Sequence, residues 1–242
     1  ERRHIIAAFR FELSKVTVPA IRERMVASLV NVSNELARGV ASGLGMELPA
    51  ALPRATDSAP TPEVTVSRAL SLTALPGDGG IRTRKVAILV ANGVHGASIE
   101  SLQKALLTAG AVPRLVGVRL GMVTTTDGAQ LEADASLENS PAVVFDALIL
   151  PDGKKGVQTL LSDARALDFV KDQYRHGKTI FALGASTAVL ERCGIPTALP
   201  SGKSDPGLIT SSSGKASAAT ERFIAAVGKH RHPERDSDPP LI

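Results

Sequence analysis

Gly184-Ala-Ser186-Thr-Ala188 stands directly after the apolar run Thr179 to Leu183, and a serine in a tight turn at the end of a strand has the pattern of a nucleophile elbow. Acyl transfer from such a serine needs a histidine to take its proton and a carboxylate to hold that histidine. The histidines downstream are His230 and His232, in a stretch of Pro, Asp and Arg with little to bury, so Ser186 is expected to cap a helix instead. Cys193, the single cysteine, ends a short helical stretch in Glu191-Arg-Cys-Gly194 and reads as a small buried hydrophobe. Ser186 and Cys193 are the nucleophile candidates.

Other groups offer binding chemistry. The loop Ala91-Asn-Gly-Val-His-Gly-Ala-Ser98 follows a strand and opens a helix, where backbone N–H groups can hold an anion. It lacks the G-x-G-x-x-G and P-loop glycine spacings, so a tight βα turn capped by Ser98 is expected, with His95 facing solvent. In Lys229-His-Arg-His-Pro-Glu-Arg235 two imidazoles lie two residues apart with no carboxylate placed to complete a metal site, and a solvated tail is expected. Tyr174, the single tyrosine, falls late in a helical stretch and reads as an interface or surface ring.

Composition bounds what these residues can belong to. One cysteine in 242 residues allows no internal disulfide and no multi-cysteine metal site, which fits a reducing, cytoplasmic setting. Apolar residues make up 43% and aromatics 3%, so the core is aliphatic and suits an α/β sandwich. The formal charge of +4 is spread along the chain with few aromatics to stack on bases, so no nucleic-acid partner is expected. No run approaches the ~18 apolar residues of a membrane span. The opening Glu1-Arg-Arg-His4 is neither a methionine start nor a signal-peptide pattern, and the chain reads as part of something longer.

The elements that position these groups follow from periodicity. Residues 1–46 form a short all-helical segment: Ile6, Phe9 and Leu13, then Ile21, Met25 and Leu29 after Pro19, then Leu36 and Val40 after Ser33. Residues 47–83, rich in Pro, Gly, Ser and Thr, form an extended linker in which 63–67 and 69–72 are short extended pieces lying against a neighbour. Residues 84–229 alternate apolar strands (86–90, 114–118, 122–125, 147–150, 179–183, 208–210) with helices (from Ile99 to Ala109, then near 155–161, 163–176, 187–193 and 215–228), which predicts a doubly wound parallel sheet covered on both faces. Residues 230–242 are a mobile tail.

Ile21-Arg-Glu-Arg-Met25, Leu29-Val-Asn-Val-Ser33 and Leu36-Ala with Gly43-Leu-Gly45 resemble the helices that close a catalase core. Ser67-Arg-Ala-Leu-Ser-Leu72, then Arg84 to Val90, Phe145 to Pro151, and Phe169 to His176 with Lys178, resemble in order the landmarks of the extra domain of large-subunit haem catalases. That resemblance covers nearly the whole chain. It implies a flavodoxin-like domain of the class I glutamine amidotransferase-like superfamily, in a parent that decomposes hydrogen peroxide on haem as a homo-oligomer. It also implies partners in the parent's catalytic core and its other subunits; the lack of a long apolar run adds the expectation of no membrane partner. Enzymes of that superfamily carry a cysteine at the elbow and an acid early in the first βα segment; carried onto this chain, these positions fall on Leu183 and Ser98, neither of which makes or activates a thiolate. The chain is therefore expected to lack catalytic, cofactor-binding and metal-binding residues of its own and to act structurally. A chaperone-like binding module and a divergent PfpI or amidotransferase-like hydrolase are the alternatives.

Overall fold

The computed structural model describes residues 1–56, 58, 61–71, 78–212 and 216–242, the last range without the side chain of residue 216. The chain forms two compact units, Glu1–Pro76 and Gly77–Ile242.

The first unit holds three helices, α1 (Arg2–Ser14), α2 (Pro19–Val30) and α3 (Asn34–Gly43). Pro19 opens α2, where its missing N–H costs nothing, and the Ser33 hydroxyl caps α3 by accepting from Leu36 N. Leu13, Val26, Leu29, Ala37, Val40 and Ala41 make its core. Positions four apart drift about 40° around a helix. Leu29 therefore reaches that core while Ile21 and Met25, expected on the same face, stay 44% and 42% exposed. Helices α1 and α3 approach closely because α3 presents glycine: Arg10 Nε donates to Gly39 O at 2.8 Å, and a Cβ on Gly43 would lie 2.1 Å from that nitrogen. Beyond α3 a single 3-10 turn, Arg68–Leu70, is the regular structure among the described residues of the linker. Of the short extended pieces expected at 63–67 and 69–72, Val64, Val66 and Leu70 are exposed, Ser71 donates to the Glu1 carboxylate, and no strand among the described residues pairs with them. Pro60, Leu72, Pro76 and Gly77, on which part of the linker reading rests, lie outside the described residues.

The second unit is α/β. Its strands are β1 (Lys85–Val90), β2 (Val112–Gly117), β3 (Gly121–Thr124), β4 (Gln130–Ala133), β5 (Ala135–Ser136), β6 (Ala147–Leu150), β7 (Thr179–Leu183) and β8 (Leu208–Ser211). Its helices are α4 (Gly96–Thr108), α5 (Lys154–Ser162), α6 (Ala164–Arg175), α7 (Thr187–Arg192), α8 (Ala216–Gly228) and α9 (Glu234–Ser237). Six strands pair in parallel in the order β5-β2-β1-β6-β7-β8. Every residue of β6 and β7 is buried, as parallel strands covered on both faces require. One face packs Val157, Leu160, Phe169, Val170 and Val189 of α5–α7; the other packs Ile99, Leu102 and Leu106 of α4 with Phe223 and Val227 of α8. The architecture is flavodoxin-like and doubly wound.

Three expectations fail here for identifiable reasons. The strand expected at 122–125 is not in the parallel sheet; β3 pairs antiparallel with β4 in a separate hairpin, since the few residues after β2 cannot make a parallel crossover. The tail expected to be mobile from residue 230 is docked. His232 N donates to Gly177 O at 2.8 Å, and Thr179 Oγ1 lies 2.8 Å from His232 Nε2. Arg235 binds Asp205 through Nε–Oδ2 at 2.7 Å and NH2–Oδ1 at 3.1 Å, and its NH1 donates to the carbonyls of Tyr174 and Lys178. Polar composition misleads at this point because these side chains satisfy one another and buried backbone oxygens instead of water. Tyr174, expected at a surface or interface, is buried with Arg235 4.0 Å over its ring.

Candidate functional site

In a doubly wound sheet, ligands and chemistry belong at the carboxyl ends of the strands where the strand order reverses, here between β1 and β6. Three turns converge there: Ala91–His95 after β1, Pro151–Gly153 after β6, and Gly184–Ser186 after β7.

The turn after β7 keeps the shape of an elbow without its nucleophile. Leu183 lies in ordinary extended backbone (φ −109°, ψ 130°) with its side chain buried in the α4–α8 face, so the elbow expected at Leu183 belongs one residue later. Gly184 takes the left-handed conformation, φ +54°. A Cβ on Gly184 would lie 2.2 Å from Asp152 Oδ2, so the place of a nucleophile's side chain is filled by a carboxylate. Asp152 Oδ1 accepts from Gly153 N at 2.7 Å and from Ala185 N at 2.9 Å. The amide following an elbow residue is one that an acyl-transfer enzyme aims at a developing oxyanion. Here it is engaged by the protein's own anion.

Close backbone packing joins the turns after β1 and β6. His95 N donates to the Asp152 carbonyl at 2.9 Å, and a Cβ on Gly153, which has φ +129°, would lie 2.3 Å from Gly93 O. Two cavities border the Ala91–His95 turn of this junction: one of about 160 Å³ is lined by Val90, Ala91, Asn92, Val118, Met122 and Thr159 among others, and a second, more open, lies against Asn92, Gly93, Thr124–Thr126, Lys154 and Lys155.

The remaining candidates are scattered or inert. Ser186 is fully buried; its hydroxyl accepts from Leu183 N and donates toward the Leu150 and Leu183 carbonyls at 2.7 and 2.8 Å, so it staples β6 to β7. It occupies the cap position of α7 but makes no side-chain capping bond, contrary to expectation. Ser98 is not the cap of α4 either; His95 is, with Nδ1 accepting from Ser98 N at 3.3 Å and lying 2.7 Å from the Ser98 hydroxyl. His95 is exposed. Cys193 is buried at the opposite end of α7, its thiol donating to Leu167 O, and burial pushes its pKa up to about 11. The structure thus brings none of Ser98, Ser186, Cys193, His230 and His232 together. Sequence reasoning missed Asp152, though a carboxylate one residue beyond the apolar run 147–150, in Pro151-Asp-Gly153, is a signal that could have found it.

Among the described residues no three His, Cys, Asp or Glu come together as metal ligands, and no helix is long and apolar enough to cross a membrane.

Residues 82–237 match the family model described as the C-terminal domain found in long catalases, and residues 1–44 match the catalase-related immune-responsive model. The chain is 37% identical over 238 residues to Catalase HPII of Pseudomonas putida, covering 98% of this chain and 31% of that protein. To Catalase-2 of Bacillus subtilis it is 30% identical over 242 residues, covering 97% and 32%. It thus spans about a third of the length of these relatives. Among solved structures, a two-domain protein from Anabaena variabilis with DJ-1/ThiJ/PfpI-like and ferritin-like domains aligns with TM-score 0.55 and 20% identity, covering 60% of this chain and 48% of that one, a likeness of fold. A helical stretch of the catalase-related type, followed in order by the domain peculiar to long catalases around a closed and nucleophile-free elbow, places this chain in the large-subunit catalase family, as its C-terminal portion.

Proposed function

We propose that this chain is a non-catalytic part of a haem catalase, supporting the assembly and stability of a parent that decomposes hydrogen peroxide to water and oxygen. The observation that carries the reading is the Asp152 carboxylate occupying the space in which a Gly184 side chain would stand. With the elbow closed in this way, the fold keeps its packing and gives up acyl-transfer chemistry.

The residues of this chain do not fit a haem. A catalase holds its iron through a tyrosinate. Tyr174 is buried under Arg235, and its hydroxyl is pushed up to about 12, first by burial and then by the Asp205 carboxylate, so phenolate formation is opposed. The haem of the parent belongs to the part of the polypeptide that this chain does not span, and that part and neighbouring subunits are its partners.

Two measurements test this reading. The purified chain incubated with haem and peroxide is expected to show neither a Soret band of a ligated haem nor oxygen evolution. Deleting residues 84–242 from the full-length parent is expected to lower its melting temperature or its oligomeric state. A parent unchanged in assembly, stability and peroxide kinetics after that deletion refutes the role.

A further inference from the structure

The closed elbow fills the β6–β7 side of the switch point and leaves the β1 side to two cavities that meet at Asn92, which lines both. They differ in chemistry. The smaller, of about 160 Å³, is lined mainly by Val90, Ala91, Val118, Met122 and Val123. The larger, of about 660 Å³ and more open, has Thr126, Lys154 and Lys155 along its wall with Asn92. Asn92 is exposed, so one ligand can lie across it with a part in each cavity. Both open at the carboxyl ends of parallel strands, where folds of this class take their ligands.

The polar wall offers donors whose acceptors the chain does not supply. Asn92 Oδ1 accepts from Thr124 N at 2.9 Å, which fixes the amide and leaves its amino group without a partner among the described residues. Neither the Lys154 nor the Lys155 ammonium forms an ion pair or a hydrogen bond among those residues. The carboxylates at this edge are already engaged, Asp127 by the Thr125 hydroxyl and Asp152 by the Gly153 and Ala185 amides. Packing holds the donors together. Gly93 N donates to Thr124 O at 2.7 Å and Thr126 N to Val94 O at 2.9 Å, which ties the β3–β4 hairpin to the turn after β1. A Cβ on Gly93, which has φ +90°, would lie 2.6 Å from Lys155 Cβ, so the stem of this lysine rests on the same turn. Two ammonium groups beside an amide donor match a head group with two charges and several acceptor oxygens. A phosphate monoester, carrying about −1.5 to −2 at neutral pH, meets that description better than a carboxylate with one charge.

We propose that the two cavities together bind a small organic phosphate, its apolar body against Val90, Val118 and Met122 and its phosphate on Asn92, Thr126, Lys154 and Lys155. An apolar pocket with a few convergent polar groups is the ordinary form of a small-molecule site. The glycine spacing of residues 91–98 gives no sign of it, because the charged donors come from α5 and the hydroxyl from the hairpin, which only the fold brings to this turn. Binding here needs no nucleophile and stands independently of what the domain does for a parent catalase.

The test is a titration of the 242-residue chain with phenyl phosphate and, separately, with inorganic phosphate, followed by NMR amide chemical shifts. Shifts are expected in 92–94, 118–126 and 154–156, with half-saturation in the roughly millimolar range of so small a ligand. Phenyl phosphate is expected to bind about fivefold or more tighter than inorganic phosphate, because its ring leaves water. Lys154→Ala/Lys155→Ala, at two exposed positions, is expected to weaken both ligands about tenfold. Thr159→Phe, at an exposed position of α5 that lines the smaller cavity, puts a ring into that space. It is expected to lower phenyl phosphate to the affinity of inorganic phosphate and to leave inorganic phosphate unchanged. Lys85→Ala/Lys104→Ala removes equal charge at residues that line neither cavity and is expected to change neither ligand. The absence of saturable shifts, shifts confined to other surfaces, or equal losses from the two lysine pairs overturns the proposal. So does inorganic phosphate binding as tightly as phenyl phosphate, or a Thr159→Phe variant that binds phenyl phosphate like the wild type.

Discussion

Arg235→Met tests the docking of the carboxyl-terminal segment most directly. The Arg235 and Asp205 side chains are 4% and 1% exposed, so removing the guanidinium strands a carboxylate with almost no access to water. Breaking one side of such a buried pair costs about 3–5 kcal/mol, mostly the penalty of the abandoned charge. The Tyr174 and Lys178 carbonyls lose their donor as well. In a unit of this size each kcal/mol moves the melting temperature by about 2–4 °C, so a fall of roughly 6–20 °C is expected. Urea unfolding followed by circular dichroism gives the free energy, and Asp205→Leu/Arg235→Met closes a double-mutant cycle. The double variant is expected to regain much of the loss, because an apolar pair leaves no charge behind. A single-variant loss under about 1 kcal/mol, or a double variant equal to the sum of the singles, refutes the argument and returns residues 230–242 to a solvated tail.

Other expectations follow from individual environments. Burial pushes His232 down to about 4 from an ordinary 6.5, so the unfolded chain takes up the proton first. The stability difference between wild type and His232→Gln, measured against pH, should be constant above about 6.5 and change by up to about 3 kcal/mol as pH falls through 4; a difference independent of pH refutes it. Gly184→Ala should destabilise by about 2 kcal/mol or more, and by less in an Asp152→Gly background, where the carboxylate no longer meets the new methyl group; equal losses in both backgrounds would contradict the filled-elbow geometry. With its pKa near 11, Cys193 should hold about a hundredfold less thiolate at pH 8 than an ordinary thiol and react with a disulfide reagent only as the chain unfolds. Fast native-state labelling would show that the thiol is accessible. Lys178→Met removes the donor of three backbone carbonyls and should cost about 1–3 kcal/mol by thermal denaturation, whereas an unchanged melting temperature would mean that water replaces the ammonium.

The central strands were legible because strands buried on both faces leave a continuous apolar run: 86–90, 147–150 and 179–183 fall on β1, β6 and β7. The hairpin was read into the wrong sheet, since Met122 to Thr125 has strand-forming residues and nothing in its own composition names its partner. Ser33 and Pro19 marked helix starts correctly, whereas His95 took the cap expected of Ser98 because its imidazole nitrogen reaches the same backbone N–H. The elbow was displaced by one residue because its defining feature is a backbone angle: a leucine closes the apolar run and the turn begins on the glycine after it. Asp152, Asp205 and Arg235 looked like loop and tail residues, since a charge that will be buried beside its partner cannot be told by type from one that faces water.

The pairing of Asp205 with Arg235 also sets an order of events during synthesis. The two residues are separated by 30 positions, and at about 5–20 residues per second the arginine leaves the ribosome roughly 2–6 s after the aspartate. Until then β8 can settle beside β7 only with an unneutralised carboxylate at its entrance, so the nascent domain waits in an incomplete state. A stop codon before Arg235 would leave that carboxylate without its partner for good, and such a truncated product should be a substrate for cellular proteases even though the sheet itself is complete.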